Sequence, residues 1–303
     1  MVDITTDNLR VPSEAIREEV VSTEQSGVTH QDKPAYQLFT PSGKAILYRE
    51  MVRDLSAADV VLFGEFHNNP IVHWLQYEVT KDLFELKGEC LILGAEMFEA
   101  DDQIVLDEYL EGKINRNHLM TEAKVWNNYA TDYEPLVKFA LGRNLRFIAT
   151  NIPRRYASLV AREGLEALEG LGEEAKRFIA PLPVVIDMSS PGYTEMAEVG
   201  MAHGMGTGPE NFMAAQAMKD ATMAHFILKH RAPKSLFLHF NGEYHSRNYG
   251  GICWYLRKAD PGLIVRIISP VEGAPLTFQE DYRGLGDVVL VVPPEMTRTY
   301  EED

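Results

Sequence analysis

The chain has little of what several protein classes depend on. Its two cysteines, Cys90 and Cys253, lie in or beside apolar runs among 303 residues, which predicts buried thiols and implies no disulfide framework. No run of about 18 apolar residues occurs, so no membrane-spanning helix is predicted. Only 29 Lys and Arg stand against 45 Asp and Glu, and the net charge of −16 argues against nucleic acid or an anionic membrane as the main partner.

The motifs of several enzyme classes are absent as well. The sequence has no G-x-S-x-G, no Walker loop, no H-E-x-x-H, and no G-x-G-x-x-G after a predicted strand. Serine hydrolases of the α/β-hydrolase type, P-loop enzymes, zincins and ordinary dinucleotide enzymes are therefore excluded. The first residues show no basic region followed by an apolar core, so no signal peptide is predicted in the chain as given.

The distribution of apolar runs predicts the fold class. Residues 1–33 are polar with little periodicity, which predicts a flexible N-terminal arm, and residues 34–303 are predicted to form a single domain. Residues 36–39 and 45–48 are predicted to pair as a hairpin. Helical patterns alternate with strand-like runs, which is typical of an α/β fold with a mainly parallel central sheet flanked by helices. The predicted core strands are 60–63, 91–95, 145–150, 235–240, 263–268 and 288–292.

A stretch rich in methionine and glycine, residues 181–213, is predicted to form a helical lid inserted into this domain. Methionine suits an adaptable apolar surface for a flat ligand, and Met196 and Met201 are candidates for that surface. Repeated glycines suggest mobility. Tyr193 and His203 are the residues in this stretch that ligate iron readily. Composition alone leaves open that the stretch is a loosely packed cover with a methionine-filled core.

Two copies of a Gly-Glu-aromatic-His motif follow predicted strands, Gly64-Glu-Phe-His67 and Gly242-Glu-Tyr-His245. In a continuing strand the Glu and His of each copy would face the same side. Glu96 follows another predicted strand. Because ligands bind at the carboxyl ends of parallel strands, these side chains are predicted to share one polar site. The predicted members are Glu65, His67, Glu96, Glu243 and His245.

This set of side chains suits more than one chemistry. Two imidazoles and several carboxylates suit a divalent metal ion, with His67, His245, Glu65 and Glu96 as candidate ligands. They also suit a metal-free acid and base pair. A hydrogen-bonded network that only fixes loops is the third interpretation.

Another strand end carries Asn151-Ile-Pro-Arg-Arg155, and Asn151 and Arg154 are added to the candidate site. A guanidinium binds carboxylate or phosphate through two parallel hydrogen bonds. Salt bridges to nearby acids are the alternative. Gln216 and Asp220 lie four residues apart on one predicted helix face, where they line the site or cap a neighbouring loop.

Taken together, the motifs resemble the ChaN-like haem-binding lipoprotein family, within a clan that includes TIKI/TraB-type proteins and erythromycin-esterase-like enzymes. The resemblance runs in order from about residue 36 to 269. It rests on Gly64-Glu-Phe-His67, Gly94-Ala-Glu-Met-Phe-Glu99, Thr150-Asn-Ile-Pro-Arg154, Ala215-Gln-Ala-Met-Lys-Asp220 and Asn241-Gly-Glu-Tyr-His245.

The resemblance implies an α/β domain whose lid binds haem, with a tyrosine as iron ligand and with haem binding coupled to dimerisation. Tyr193 is the first candidate for that ligand and His203 the second. A place in the cell envelope and envelope iron-uptake partners are implied too, although this sequence shows no lipoprotein leader and a cytoplasmic location is the alternative. A metal-dependent hydrolase built on the two Gly-Glu-x-His motifs is the alternative function.

Overall fold

The computed structural model describes residues 33–187, Tyr193 and 208–300. Seven strands of this part form a single sheet in the order β1-β7-β6-β2-β5-β3-β4. The pairing of β1 with β7 is antiparallel and every other pairing is parallel. The strands are β1 (Gln37–Phe39), β2 (Val60–Glu65), β3 (Leu91–Glu99), β4 (Phe147–Asn151), β5 (Leu236–Gly242), β6 (Val265–Glu272) and β7 (Val288–Val292).

Helices cover both faces of the sheet, so the predicted α/β class is confirmed. The helices of the described residues are α1 (Tyr48–Leu55), α2 (Pro70–Lys87), α3 (Gln103–Leu110), α4 (Arg116–Glu122), α5 (Glu134–Arg143), α6 (Arg154–Glu163), α7 (Glu173–Lys176), α8 (Pro209–His230) and α9 (Gly251–Ala259). None of them is both long and apolar enough to cross a bilayer.

Alternation along the central strands explains why both faces are covered. All six residues of β2 are buried. Val61 and Phe63 pack into one apolar cluster together with residues of α1, α2 and α5. Val60 and Leu62 pack into a second cluster with residues of α8 and α9. Successive side chains of a strand point to opposite faces, so a continuous apolar run needs a helical layer on each side.

The predicted hairpin at residues 36–48 is wrong in its second strand. Phe39 and Ala45 form only an isolated antiparallel bridge, and β1 instead pairs along β7. Residues from Tyr48 onward are helical because the carboxylate of Glu50 accepts a hydrogen bond from the backbone N–H of Leu47 at 2.9 Å, which caps α1.

Contacts divide the chain into two units, Met1–Lys33 and Pro34–Asp303. Only Lys33 of the first unit is described, so the flexible arm stays a prediction. Most of the predicted lid at 181–213 also lies outside the described residues. Its last residues belong to α8, which begins with Pro209 in the first turn, where a missing N–H costs nothing.

Candidate functional site

The carboxyl ends of four neighbouring strands form the floor of the candidate site. Strands β2, β5, β3 and β4 are adjacent and parallel, so Glu65, Glu96, Asn151 and Gly242 end up at one edge of the sheet. The pairing of β3 with β4 is irregular between Ala95 and Glu99. An irregularity of this kind changes the direction in which side chains point, and Glu96 lies within this one.

The glycines of the two motifs allow the motif copies to pack directly on each other. A Cβ atom on Gly242 would lie 3.0 Å from Cε1 of His67 and 3.5 Å from Oε2 of Glu96. A Cβ atom on Gly64 would lie 3.2 Å from Cα of Glu243. Contacts this short displace a neighbour, so glycine is what lets the His67 ring lie over the second motif.

Glu65 and His67 form the first carboxylate–histidine pair. Oε1 of Glu65 lies 2.8 Å from Nδ1 of His67 and accepts a hydrogen bond from the hydroxyl of Tyr133 at 2.6 Å. Oε2 accepts a hydrogen bond from the amide of Gln76 at 2.7 Å. Burial acts to raise the pKa of Glu65, but His73, His67 and Tyr133 outweigh it and the pKa lies below its usual value. Glu65 is therefore a buried anion that holds His67 in place.

A second layer of polar residues fixes the backbone of the His67 loop. The His67 carbonyl lies 3.0 Å from Nε2 of His73 and accepts a hydrogen bond from Asn128 Nδ2 at 2.8 Å. Asn128 and Thr299 both donate to Oδ2 of Asp132, each at 2.7 Å. Asp132 lies in a π-helical turn, Tyr129–Tyr133, a feature that is frequent at functional sites. The C-terminal segment at Thr299 is thus tied to the loop that carries His67.

His245 lies between two buried carboxylates. Its Nδ1 is 2.6 Å from Oδ1 of Asp220, and its Nε2 is 3.3 Å from Oε1 of Glu96. Burial disfavours the charged imidazole, but Glu96 and Asp220 together raise the pKa of His245 to about 10. Burial acts to raise the pKa of Glu96, but His245 and His67 outweigh it and hold the pKa well below its usual value. His245 is therefore a buried cation at neutral pH.

The two histidines are held in the same way. Each presents Nδ1 to a carboxylate, Glu65 for His67 and Asp220 for His245, which leaves Nε2 to face the site. Glu96 interacts electrostatically with both rings and accepts a hydrogen bond from the Gly242 N–H at 2.8 Å. Burial disfavours the charged form of His67, but Glu65 and Glu96 raise its pKa overall. Oriented imidazoles of this kind transfer protons or bind a metal ion.

A cavity of about 970 Å³ lies above this floor. Glu65, His67, Glu96, Glu243 and His245 all line it, so the structure brings together the five side chains that the two motifs and Glu96 supplied. Glu243 forms an ion pair with Arg247 at 3.1 Å. The catalytic and ligand roles of these residues stay predictions.

Helices α6 and α8 form a wall of the cavity. The residues that α6 contributes recur at helical spacing, as do those of α8. On α6 small side chains lie between two arginines, and on α8 an alanine and a glutamine lie between a phenylalanine and a lysine. The lining residues are Arg154, Ala157, Ser158, Ala161 and Arg162 of α6, and Phe212, Ala215, Gln216 and Lys219 of α8.

The two arginines after β4 have different environments. Arg155 forms an ion pair with Asp101 at 2.6 Å and lies over the ring of Tyr156. Arg154 lines the cavity. The sequence left open whether these arginines form salt bridges or bind a ligand. Arg155 forms a salt bridge, and Arg154 faces the space that a ligand would occupy.

Among the proposed lid residues, Tyr193 is described and His203, Met196 and Met201 lie outside the described residues. Tyr193 is buried, donates a hydrogen bond to Oδ2 of Asp220 at 2.9 Å, and packs against Phe212 and Tyr244. Burial, Asp220 and Tyr255 raise the pKa of its phenol far above the usual value. Tyr193 thus joins the same hydrogen-bonded chain as His245.

A different acidic cluster has the spacing of a metal site. Within the described ranges, ligand atoms of Glu99, Asp101 and Asp102 lie within 4.8 Å of one another. Lys124 contacts all three carboxylates, at 3.0 to 3.4 Å. This cation offsets part of their negative charge, and Arg155, which pairs with Asp101, offsets another part. The predicted metal set of His67, His245, Glu65 and Glu96 does not form a cluster of this compactness.

Sequence reasoning missed several members of the polar network. Gln76 and Tyr133 bind Glu65, but they lie 11 and 68 residues away from it along the chain. His73 of α2 contacts Gln76 and the His67 carbonyl. No local pattern marks these residues, because helix α2 and the π-helical turn bring them to the site only in the fold.

Comparison with known proteins agrees with this fold. Residues 51–256 match the family model described as haem-binding uptake, Tiki superfamily, ChaN. A structure of ChaN of Campylobacter jejuni with cofacial haem binding is similar at a TM-score of 0.66 and 18% identity, covering 85% of this chain and 96% of that one. A mutant of the erythromycin esterase EreC in its open conformation is similar at a TM-score of 0.50 and 11% identity, covering 84% and 97%. No curated protein sequence matches the chain. The family match spans about two thirds of the sequence, and the chain therefore belongs to the ChaN family of haem-binding uptake proteins in the Tiki superfamily.

Proposed function

We propose that this protein binds haem in the cavity beside the Glu/His site and serves iron acquisition. The observation that carries the proposal is the cavity itself, which is about 970 Å³ in a chain of a haem-binding family. That volume lies in the range of cofactor sites. The apolar part of its lining, which includes Trp126, Ile152 and Phe212, suits a flat aromatic ligand.

The small side chains of α6 and α8 support the fit of a planar ligand. Ala157, Ala161 and Ala215 leave a shallow strip between the longer side chains of this wall. Large side chains at these positions would fill the space next to the floor. A macrocycle lying against this wall would place its edge near His67 and His245, which line the same cavity.

Tyr193 is the proposed iron ligand, His203 is the second candidate, and Met196 and Met201 are proposed to pack on the haem. The donor set fits haem iron, because tyrosinate and imidazole are both known haem ligands. Tyr193 donates its hydroxyl hydrogen to Asp220 in this structure. Ligation by Tyr193 therefore requires the hydroxyl to leave Asp220 and turn toward the cavity.

Titration of the full chain with haemin tests the proposal. The wild type is expected to give a saturable Soret band, and Tyr193→Phe is expected to weaken or abolish it. Tyr129→Phe is the matched control, because the Tyr129 hydroxyl is buried and has no hydrogen-bond partner within the described part of the chain. If Tyr193→Phe, His203→Ala and deletion of residues 188–207 all leave haemin uptake unchanged, the proposed mode of binding is wrong.

The proposal extends to a homodimer and to envelope components of iron uptake. The family description, haem-binding uptake, supports a role in iron uptake, and the dimer and the envelope location are proposed from the resemblance of the motifs. The dimer is tested by measuring the molar mass in solution with and without haemin. Haem-dependent doubling of the mass supports it, and a constant monomer mass at haem saturation contradicts it.

A metal-dependent hydrolase is the second candidate function, and one observation favours it. Both histidines present Nδ1 to a carboxylate, which is the arrangement that orients metal-ligating histidines. A divalent ion would be held by His67, His245 and Glu96, with Glu65 orienting His67, and would polarise a bond or activate water. Elemental analysis of the purified protein tests this function. A metal-free sample that gains no hydrolytic activity with zinc, manganese or cobalt contradicts it.

A further inference from the structure

The strand end at Asn151 has the features of an anion-binding subsite. Asn151 is only 9% exposed and lines the cavity, yet its side-chain Oδ1 has no hydrogen-bond partner among the described residues. A buried polar atom without a partner costs free energy, and a ligand or water at that position removes the cost. Oδ1 accepts hydrogen bonds, as the oxygens of an anion do, so the amide binds an anion after rotation brings its donor Nδ2 to this position.

The helix that follows adds positive charge at the same place. Helix α6 begins at Arg154, directly after Pro153, and no side chain caps its first turn. The uncapped N–H groups of a helix start and its dipole favour a negative group. The guanidinium of Arg154 adds a full charge to these partial charges, and Arg154 lines the same cavity as Asn151.

Nearby acids do not cancel this charge. Glu99 and Asp102 contact Lys124, and Asp101 contacts both Lys124 and Arg155. Lys124 and Arg155 thus offset two of the three negative charges of the acidic cluster, and Arg154 takes no part in it. Of the residues that the structure describes, none forms an ion pair with Arg154.

We infer that Asn151, the first turn of α6 and Arg154 form a subsite that binds a carboxylate group of the ligand. This inference rests on the proposed function in so far as the ligand is haem, whose propionates are carboxylates. A carboxylate matches the guanidinium through two parallel hydrogen bonds and matches the uncapped N–H groups as an acceptor. The apolar lining beside it suits the organic part of such a ligand.

The test uses three ligands to distinguish recognition of the carboxylate from recognition of the macrocycle. These are haemin, haemin dimethyl ester in the same detergent, and benzene-1,4-dicarboxylate, which carries carboxylates without a macrocycle. Haemin and its ester are titrated by absorbance, and the dicarboxylate by calorimetry. The full chain is compared with Arg154→Gln and with Arg155→Gln, the matched control whose arginine is bound to Asp101.

We expect Arg154→Gln to weaken haemin binding by about 10- to 100-fold, the range for loss of a charge-assisted hydrogen bond. Arg155→Gln is expected to stay within about twofold of wild type, because salt bridges near the surface contribute little. Haemin dimethyl ester is expected to bind wild type and Arg154→Gln equally. Asn151→Leu, which removes the amide, is expected to weaken haemin but not its ester.

The outcomes distinguish failure of the subsite from failure of the proposed function. Equal haemin affinity for wild type and Arg154→Gln, or an equal loss on haemin and on its ester, overturns the subsite while haem binding stands. Binding of the dicarboxylate that depends on Arg154, without haemin binding, overturns the proposed function and supports the subsite. Absence of binding by all three ligands in the wild type overturns both.

Discussion

Replacing Asp220 with asparagine tests the electrostatic description of the site. Asp220 lies 2.6 Å from Nδ1 of His245, and both groups are buried. The rise in the pKa of His245 from 6.5 to about 10 corresponds to roughly 5 kcal/mol in favour of the charged imidazole. Burial opposes this rise, and Glu96 and Asp220 together outweigh it, whereas burial raises the pKa of Asp220 itself. Asp220→Asn should therefore lower the pKa of His245 and destabilise the fold.

The loss of stability expected for Asp220→Asn depends on pH, and the direction of this dependence can be stated. A histidine whose pKa is raised by folding stabilises the protein below its unfolded pKa, and the stabilisation is lost as pH rises through the folded pKa. The free energy of unfolding of Asp220→Asn should fall below that of wild type by about 2–4 kcal/mol near pH 6. The difference should shrink as the pH rises toward about 10, because the unfolded chain loses the His245 proton near pH 6.5 and the folded wild type loses it only near pH 10.

The assay combines two measurements on the full chain. Denaturant unfolding at a series of pH values gives the free energies, and proton NMR of the histidine ring resonances gives the pKa of His245. Tyr193→Phe is the control, because it removes the other hydrogen bond to Asp220 and leaves the contact with His245. An unchanged pKa of His245 in Asp220→Asn, or a stability difference that does not vary with pH, would show that Asp220 does not stabilise the charged imidazole.

Three further predictions follow from the contacts of the site. Gly242→Ala places a Cβ atom 3.0 Å from the His67 ring and should destabilise the fold by about 1–3 kcal/mol. The NMR resonances of the His67 ring should shift as well, and unchanged resonances would contradict the close packing. Tyr133→Phe removes the hydroxyl 2.6 Å from Glu65 and should cost about 1–3 kcal/mol in denaturant unfolding, whereas Tyr129→Phe should cost less. Thr299→Val removes the bond to Asp132 and should increase hydrogen exchange at the His67 loop; unchanged exchange would show that the C-terminal segment does not hold the loop.

The sequence predicted the sheet and the meeting of the two motifs for the same reason. Buried parallel strands are continuous apolar runs, and their carboxyl ends must share one edge, so Glu65 and Glu243 come together without any knowledge of the contacts between them. The repeated Gly-Glu-aromatic-His pattern supplied the second clue.

What the sequence left open depends on partners that are distant along the chain. Asp220 was expected to line the site or cap a loop, and only the packing of α8 shows that it orients His245. Arg154 and Arg155 are adjacent and chemically equal. Their environments differ because Asp101 forms an ion pair with Arg155 and not with Arg154. The hairpin failed because helix α1 begins at Tyr48, within the predicted second strand, and β1 pairs with β7 instead.

A crystal structure of the full chain soaked with haemin would show where the ligand binds. We expect haem in the cavity between the strand ends and helices α6 and α8, with the macrocycle against Ala157 and Ala215 and a carboxylate at Arg154. Haem bound elsewhere on the molecule, or a cavity that stays free of haem in crystals that take it up, would show that this cavity is not the haem site.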